Sequence, residues 1–293
     1  MMYVSTRDRV WTLFLLAVFA FALPVFADNV TISGTTSFSS LDGSSLDHDG
    51  AANGVFTVDD GDLTVLGTIN CNDDTSTNAC SMAFAVSGNF TMQPGSAIYA
   101  ENRSGGGSGG DISVTAGGNI VLAGTTGTAA GAIVSAGNAD TSSSSAGGDL
   151  AFTAGGLVRF ESGSVVSAAA KGGQAGVINV TADGSIEVGG LVASGPSSTL
   201  TATRYTGAIL SGGSSSHTGG NINIVSNSHT EPALVVTSGA VIVSQGGSGS
   251  AGSVTVAGCG INVNGLVASI SESGANAKVT VNSGTSLTVD GRD

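Results

Sequence analysis

Along most of this chain, apolar residues stand at every second position in short runs bounded by glycine. In GDISVTAGGNIVL (110–122), Ile112 and Val114 alternate with Ser113 and Thr115, and Ile120 and Leu122 stand two apart beyond a glycine pair. A period of two marks half-buried strands, and no 3.6-residue stripe follows residue 27. The pattern recurs as GDLAFTAGGLVRF (148–160) and GVINVTADGSIEV (176–188). Looser copies begin at Gly220, Gly252 and Ala277, and weakened ones stand at 54–65 and 87–99. The spacing between copies varies while the apolar core of the unit stays constant, which places the insertions in loops.

Each copy is followed by a third apolar element: GAIVSAG (131–137), GSVVSAAA (163–170), GLVASG (190–195), GAVIVSQGG (239–247) and GLVASIS (265–271). Three short strands per course, joined at glycine-rich corners, predict an all-β fold, a right-handed parallel β-helix of seven to eight courses. Stacked at the strand spacing of about 4.8 Å, these give a rod roughly 35 Å long. One inward column reads Ile112, Leu150, Ile178, Ile222, Val254, Val279, with Val114, Phe152, Val180, Ile224, Val256, Val281 beside it. A second reads Ile120, Val158, Ile186, Ile261, Leu287, continued by Leu122, Phe160, Val188, Val263, Val289.

The domain reading is a signal peptide at 1–27, an amino-terminal cap at 28–53 and the repeat domain at 54–293. Arg7 and Arg9 precede an apolar run from Val10 to Phe26 that Pro24 breaks, and Val25-Phe26-Ala27 sets small residues at a cleavage position. A membrane anchor would use the same run, but the cleavage residues and the polar DNVTISGTTS after it point to removal and export.

Composition adds an address and removes some partners. Gly, Ser, Thr, Ala and Val dominate after residue 27, and β-branched residues at regular intervals argue against disorder. Net charge is −13, with nine acidic and no basic residues between Asp28 and Asp74, so nucleic acid is not an expected partner. Cys71 and Cys80 bracket the polar loop NDDTSTNA, and in an exported chain they are expected to form a disulfide. Cys259, in VAGCGINV, reads as a small buried filler; pairing with another chain is the alternative.

The repeated G-G-[DN]-[IL]-x-[VF]-T-A-G-G, with a following G-x-[IV]-x-[SA], resembles the glycine-rich right-handed β-helices of bacterial surface proteins, such as filamentous-haemagglutinin-like adhesins and autotransporter passenger domains. The resemblance spans residues 83–293, and 54–82 loosely. It implies architecture and a secreted or outer-surface location; no functional residue of those families has a matching motif here.

Motifs for chemistry are sparse. The glycine pairs lead into strands rather than helices, and Lys171 precedes its glycines, so no phosphate loop is present. GGSGGDISV (106–114) superficially fits a calcium β-roll nonapeptide, but Ser113 stands where the large apolar residue belongs. Better hard-oxygen ligands for a structural calcium are Asp47, Asp49, Asp59, Asp60 and Asp62 on glycine loops, although a solvated acidic cap explains the same residues. No catalytic residue and no other cofactor is expected. A β-helical polysaccharide lyase or hydrolase would need acids beside a basic residue, yet Arg103, Arg159, Lys171, Arg204, Lys278 and Arg292 fall in different courses. Three function classes follow. The leading one is a non-enzymatic surface or secreted scaffold with an adhesive role, binding polysaccharide or protein of a cell surface or matrix through loops stacked along one corner. The second is a carbohydrate-active enzyme. The third is an ice- or crystal-surface binder, for which Thr199, Thr201 and Thr203 give one row.

Overall fold

The computed structural model describes strands at 30–32, 35–37 and 47–48, and residues 54–289 apart from 72–77, 103–106, 126–130, 139–144, 171, 196–216 and 272. Three strands come first: β1 (Val30–Ile32), β2 (Thr35–Ser37) and β3 (Asp47–His48). Seven complete courses follow. They are β4 (Gly54–Val58), β5 (Leu63–Val65), β6 (Thr68–Asn70); β7 (Met82–Val86), β8 (Phe90–Met92), β9 (Ala97–Tyr99); and β10 (Ile112–Ala116), β11 (Ile120–Leu122), β12 (Ile133–Ser135). Next come β13 (Leu150–Ala154), β14 (Val158–Phe160), β15 (Val165–Ser167); and β16 (Ile178–Ala182), β17 (Ile186–Val188), β18 (Leu191–Ser194). The last two are β19 (Ile222–Ser226), β20 (Leu234–Val236), β21 (Val241–Gly246); and β22 (Val254–Gly258), β23 (Ile261–Val263), β24 (Leu266–Ser271). A partial course, β25 (Val279–Ser283) and β26 (Leu287–Val289), ends the stack.

The first strand of every course enters one sheet, the second another and the third a third, giving sheets of nine, nine and eight strands. Every pairing is parallel except β3 against β4. The protein is a right-handed parallel β-helix. All three sheets run into residues 28–53, because β1 pairs with β5, β2 with β6 and β3 with β4.

The register follows the alternation. Ile112, Leu150, Ile178, Ile222, Val254 and Val279 are successive partners, as are Val114, Phe152, Val180, Ile224, Val256 and Val281. Apart from the exposed Val279 and the partly buried Val281, these residues line one continuous core, extended upstream by Met82, Phe84 and Phe56. Early courses fill the interior with rings: the centroids of Phe56 and Phe84 lie 5.7 Å apart, and those of Phe84 and Phe90 lie 5.9 Å apart. Each buried Val, Ile, Leu or Phe contributes about 1.5–3 kcal/mol. A single course exposes both of its flat sides, so that gain arrives only when a neighbour stacks on it.

Two features depart from the sequence reading. The course starting at Ile222 has a second strand after all, Leu234–Val236, pairing with β17 and β23. It was hidden because residues 227–233, carrying the cis Glu231–Pro232 peptide bond, replace the glycine turn used elsewhere. The third sheet, in turn, is buried on both faces in its middle courses. Val166, Val192 and Ile242 join the main core, while Val165, Leu191, Val241 and Val243 form a second cluster on the opposite face. Consecutive apolar residues in VVS, LVAS and VIVSQG are the signature of a doubly buried parallel strand.

Candidate interaction surfaces

The corner from the third sheet back to the first carries most of the length variation. Tyr99 leads to Ile112, Ser135 to Leu150, Ser167 to Ile178 and Ser194 to Ile222, whereas first-to-second turns are mostly three residues (87–89, 117–119, 155–157, 183–185). Where these loops rejoin the stack, a glycine column explains the opening motif. A Cβ on Gly148 would strike the carbonyl of Gly110, one on Gly176 that of Gly148, one on Gly220 that of Gly176, and one on Gly252 that of Gly220. Close approach of successive courses, rather than ligand binding, requires glycine here.

The loop bases are closed by hydrogen bonds that change type along the rod. In early courses the N–H groups of Gly110, Gly148 and Gly176 donate to the carbonyls of Ala100, Ala136 and Ala168 at 2.9, 2.7 and 3.0 Å. Later, serines occupy the equivalent position. The hydroxyls of Ser194, Ser244 and Ser269 donate to the carbonyls of Gly176, Gly220 and Gly252 at 2.7, 2.8 and 2.9 Å. The same oxygens accept from the N–H groups of Gly220, Gly252 and Ala277 at 2.9, 2.8 and 3.1 Å. Each serine therefore staples two successive courses. Upstream, Asn102, Asn138 and Ala170 stack through isolated parallel bridges, and the buried Asn138 amide donates to the carbonyls of Gly107 and Ala146. Loops of variable length thus depart from a fixed, hydrogen-bonded base.

Several acidic residues hold the stack together. Asp111 Oδ1 accepts the Asp149 N–H at 2.8 Å, and Asp149 Oδ1 accepts the Val177 N–H at 2.7 Å. Asp62 Oδ1 accepts the N–H of Asn89 at 2.7 Å, Asn89 Oδ1 that of Asn119 at 2.8 Å, and Asn119 Oδ1 that of Leu157 at 2.9 Å. Among the calcium candidates, Asp62 is therefore engaged in this ladder. Asp59 and Asp60 sit on the bend after β4, Asp47 lies in β3, and Asp49 lies outside the described residues. Among the described residues, no group of three or more His, Cys, Asp or Glu side chains comes together in a way that could hold a metal. Arg159 pairs with Glu187 at 3.0 Å on the second sheet, three courses beyond Asp59 and Asp60. Arg103, Lys171, Arg204 and Arg292 lie outside the described residues.

Cys71 and Cys80 are joined as a disulfide with their Cα atoms 5.4 Å apart. Cys259 is not the buried filler expected from its apolar neighbours. It stands half-exposed in the turn between β22 and β23, its Sγ 3.7 Å from Thr285 Oγ1, because the inward column resumes only at Ile261. Near this turn, hydroxyls of Thr285 and Ser286 hold the Glu231 carboxyl below its ordinary value of 4.5.

The outer face of the first sheet is uncharged from β4 to β25. One column runs Thr57, Ala85, Thr115, Thr153, Thr181, Val225, Ala257, and the next runs Ala83, Ser113, Ala151, Asn179, Asn223, Thr255. The row Thr199, Thr201, Thr203 lies outside the described residues, so this column is the threonine array the structure displays. Among the described residues, no helix is long and apolar enough to cross a membrane. Comparison with known proteins finds no family model, no curated protein and no solved structure that matches the chain.

Proposed function

We propose that this chain is an exported, non-enzymatic surface scaffold with an adhesin-like role, its contacts made by the loops along the third-to-first corner. The observation that carries this reading is that the long connections 100–111, 136–149, 168–177 and 195–221 all leave the third sheet and re-enter the first. Because each course returns to the same angular phase, the bases of these loops line one edge of the stack, the usual setting for recognition. Their Gly, Ser and Asn content offers adaptable hydrogen bonds and little stacking area. Attachment to a cell-surface or matrix polysaccharide or protein is then weak per loop and multivalent overall. Deleting Pro196–Tyr205 leaves folding intact and lowers adhesion of protein-coated beads to cells or matrix. Unchanged adhesion after all four loops are shortened would refute the loop reading, and turnover of a polysaccharide by the purified protein would refute the non-enzymatic one.

The threonine column supports a second reading, adsorption to an ordered crystal surface such as ice. Threonine presents a hydroxyl and a methyl at the regular inter-strand spacing, and the face has no charge to solvate. Thr153→Lys would then abolish inhibition of ice recrystallisation without affecting adhesion.

A further inference from the structure

From β6 onward, the third-to-first corner is built repeatedly from the same two register positions. The position where the third sheet is left is held in turn by Cys71, Ala100, Ala136, Ala168, Ser194, Ser244 and Ser269. The position two residues before each first-sheet strand is held by Cys80, Gly110, Gly148, Gly176, Gly220, Gly252 and Ala277. Six of these pairs are joined by hydrogen bonds: backbone to backbone at Ala100, Ala136 and Ala168, and through the hydroxyl at Ser194, Ser244 and Ser269. At the first corner the same two positions are joined by the Cys71–Cys80 disulfide. The bridge therefore occupies the place of a hydrogen bond that the fold uses everywhere else along this edge.

We infer that the bridge is a redox-sensitive lock on the amino-terminal end of the stack. Oxidised, it fastens the first complete course to the second; reduced, it leaves the first course free to fray while later courses stand. This rests on the register and the bridge, and does not depend on the adhesive reading.

The position of the lock follows from the forces at this end. Cys71 ends the first course and Cys80, nine residues on, begins the second, so the bond limits how far the two can part. Nine acidic and no basic residues lie between Asp28 and Asp74, and their mutual repulsion opposes packing here more than in any later course. A hydrogen bond opens and closes freely, whereas a disulfide opens only by exchange. An external dithiol supplies that exchange: its thiolate attacks one sulfur, the S–S bond breaks, and a mixed disulfide forms. The second thiol of the reagent then displaces the remaining cysteine, leaving two protein thiols and the oxidised dithiol. Cys80 is the more exposed partner, Cys71 being only 6% exposed, so attack falls on the Cys80 sulfur.

Reduction loosens this corner without dismantling the stack. The Cys71 N–H still donates to the Tyr99 carbonyl at 2.7 Å, the Ala79 N–H to Ser108 at 3.0 Å and the Leu63 N–H to Asn89 at 2.8 Å. From the second course on, the corners hold by hydrogen bonds that a reductant does not touch. The end of the rod thus responds to the redox state of its compartment and the body does not.

Hydrogen exchange read by mass spectrometry, with and without a dithiol, tests this on the full chain. Reduction is expected to speed exchange in β4, β5 and β6 by roughly thirtyfold and to leave β16, β17 and β18 unchanged. Cys71→Ser combined with Cys80→Gly installs the pair that closes the corners at Ser194 and Ser244. Its first course exchanges about fivefold more slowly than that of the reduced wild type, and at one rate with or without dithiol. Equal exchange of β4–β6 in oxidised and reduced wild type overturns the inference. So does acceleration spread evenly to β16–β18, or a serine–glycine variant whose first course exchanges as fast as the reduced wild type.

Discussion

Replacing Ile178 with Asp probes the stacking argument where it is most exposed to failure. Ile178 has no solvent exposure and lies between Leu150 and Ile222 in the fifth complete course. Removing its side chain forfeits about 1.5–3 kcal/mol of apolar burial. Placing an unpartnered polar group there costs a further 2 kcal/mol or more, whether it stays charged or is driven to protonate. The total is about 4–6 kcal/mol, which for a chain of this size lowers the melting temperature by roughly 10–20 °C. The control is Asn179→Asp, one residue along and on the outer face, where Oδ1 already accepts from the Asn223 amide at 2.9 Å. It introduces the same charge and shifts stability by no more than about 0.5 kcal/mol. Sign and pH dependence follow from burial. A buried aspartate titrates above its unfolded value of about 3.9, so the Ile178→Asp penalty is smallest below that pH and grows as pH rises. Circular dichroism melts of both variants, at acid and neutral pH, measure this. Equal melting temperatures for the two would refute the inward assignment of the column, and with it the course-by-course burial argument.

Other outcomes follow from the same structure. Ser194→Ala and Ser244→Ala each strand a buried glycine N–H and cost about 1–3 kcal/mol, read in denaturant melts, while a serine-to-alanine change at the exposed Ser273 costs nothing measurable. Cys71→Ser lowers stability by about 2–3 kcal/mol, because the bridge closes a short loop, and non-reduced peptide mapping of the wild type finds Cys71 linked to Cys80. Chelation with EDTA leaves the melting temperature unchanged if the acidic segment is a solvated cap. A calcium-dependent rise lost in Asp59→Asn with Asp60→Asn would instead assign a structural calcium there.

Much of the fold was legible in the chain because its strands are local and its pattern repeats. The period of two, the glycine pairs and the recurrence of the unit were enough to align Ile112 with Leu150, Ile178 and Ile222, and to place the loops within 101–109, 136–147 and 195–219 on one corner; the stretch Ser244–Ala251, which reads as a fourth, begins inside β21 and leaves only 247–253 as a connection. The missing strand at Leu234–Val236 was illegible because a seven-residue connection, 227–233, stands where other courses use a short glycine turn. Roles set by neighbouring courses were equally out of reach. Asp62 reads as a calcium ligand or part of a solvated acidic cap, but the register puts the Asn89 N–H of the next course against it, and Asp111 likewise meets the Asp149 N–H. Thr57, Thr115, Thr153 and Thr181 are far apart in the chain and form a column only when the courses stack. Leu287 and Ile261 have the same local pattern, yet one is exposed and the other buried. Alternation along a strand decides which way a side chain points, and that is encoded locally. Burial, hydrogen-bond partners and the shape of each outer face depend on what the adjacent course supplies, and that is decided only in the tertiary structure.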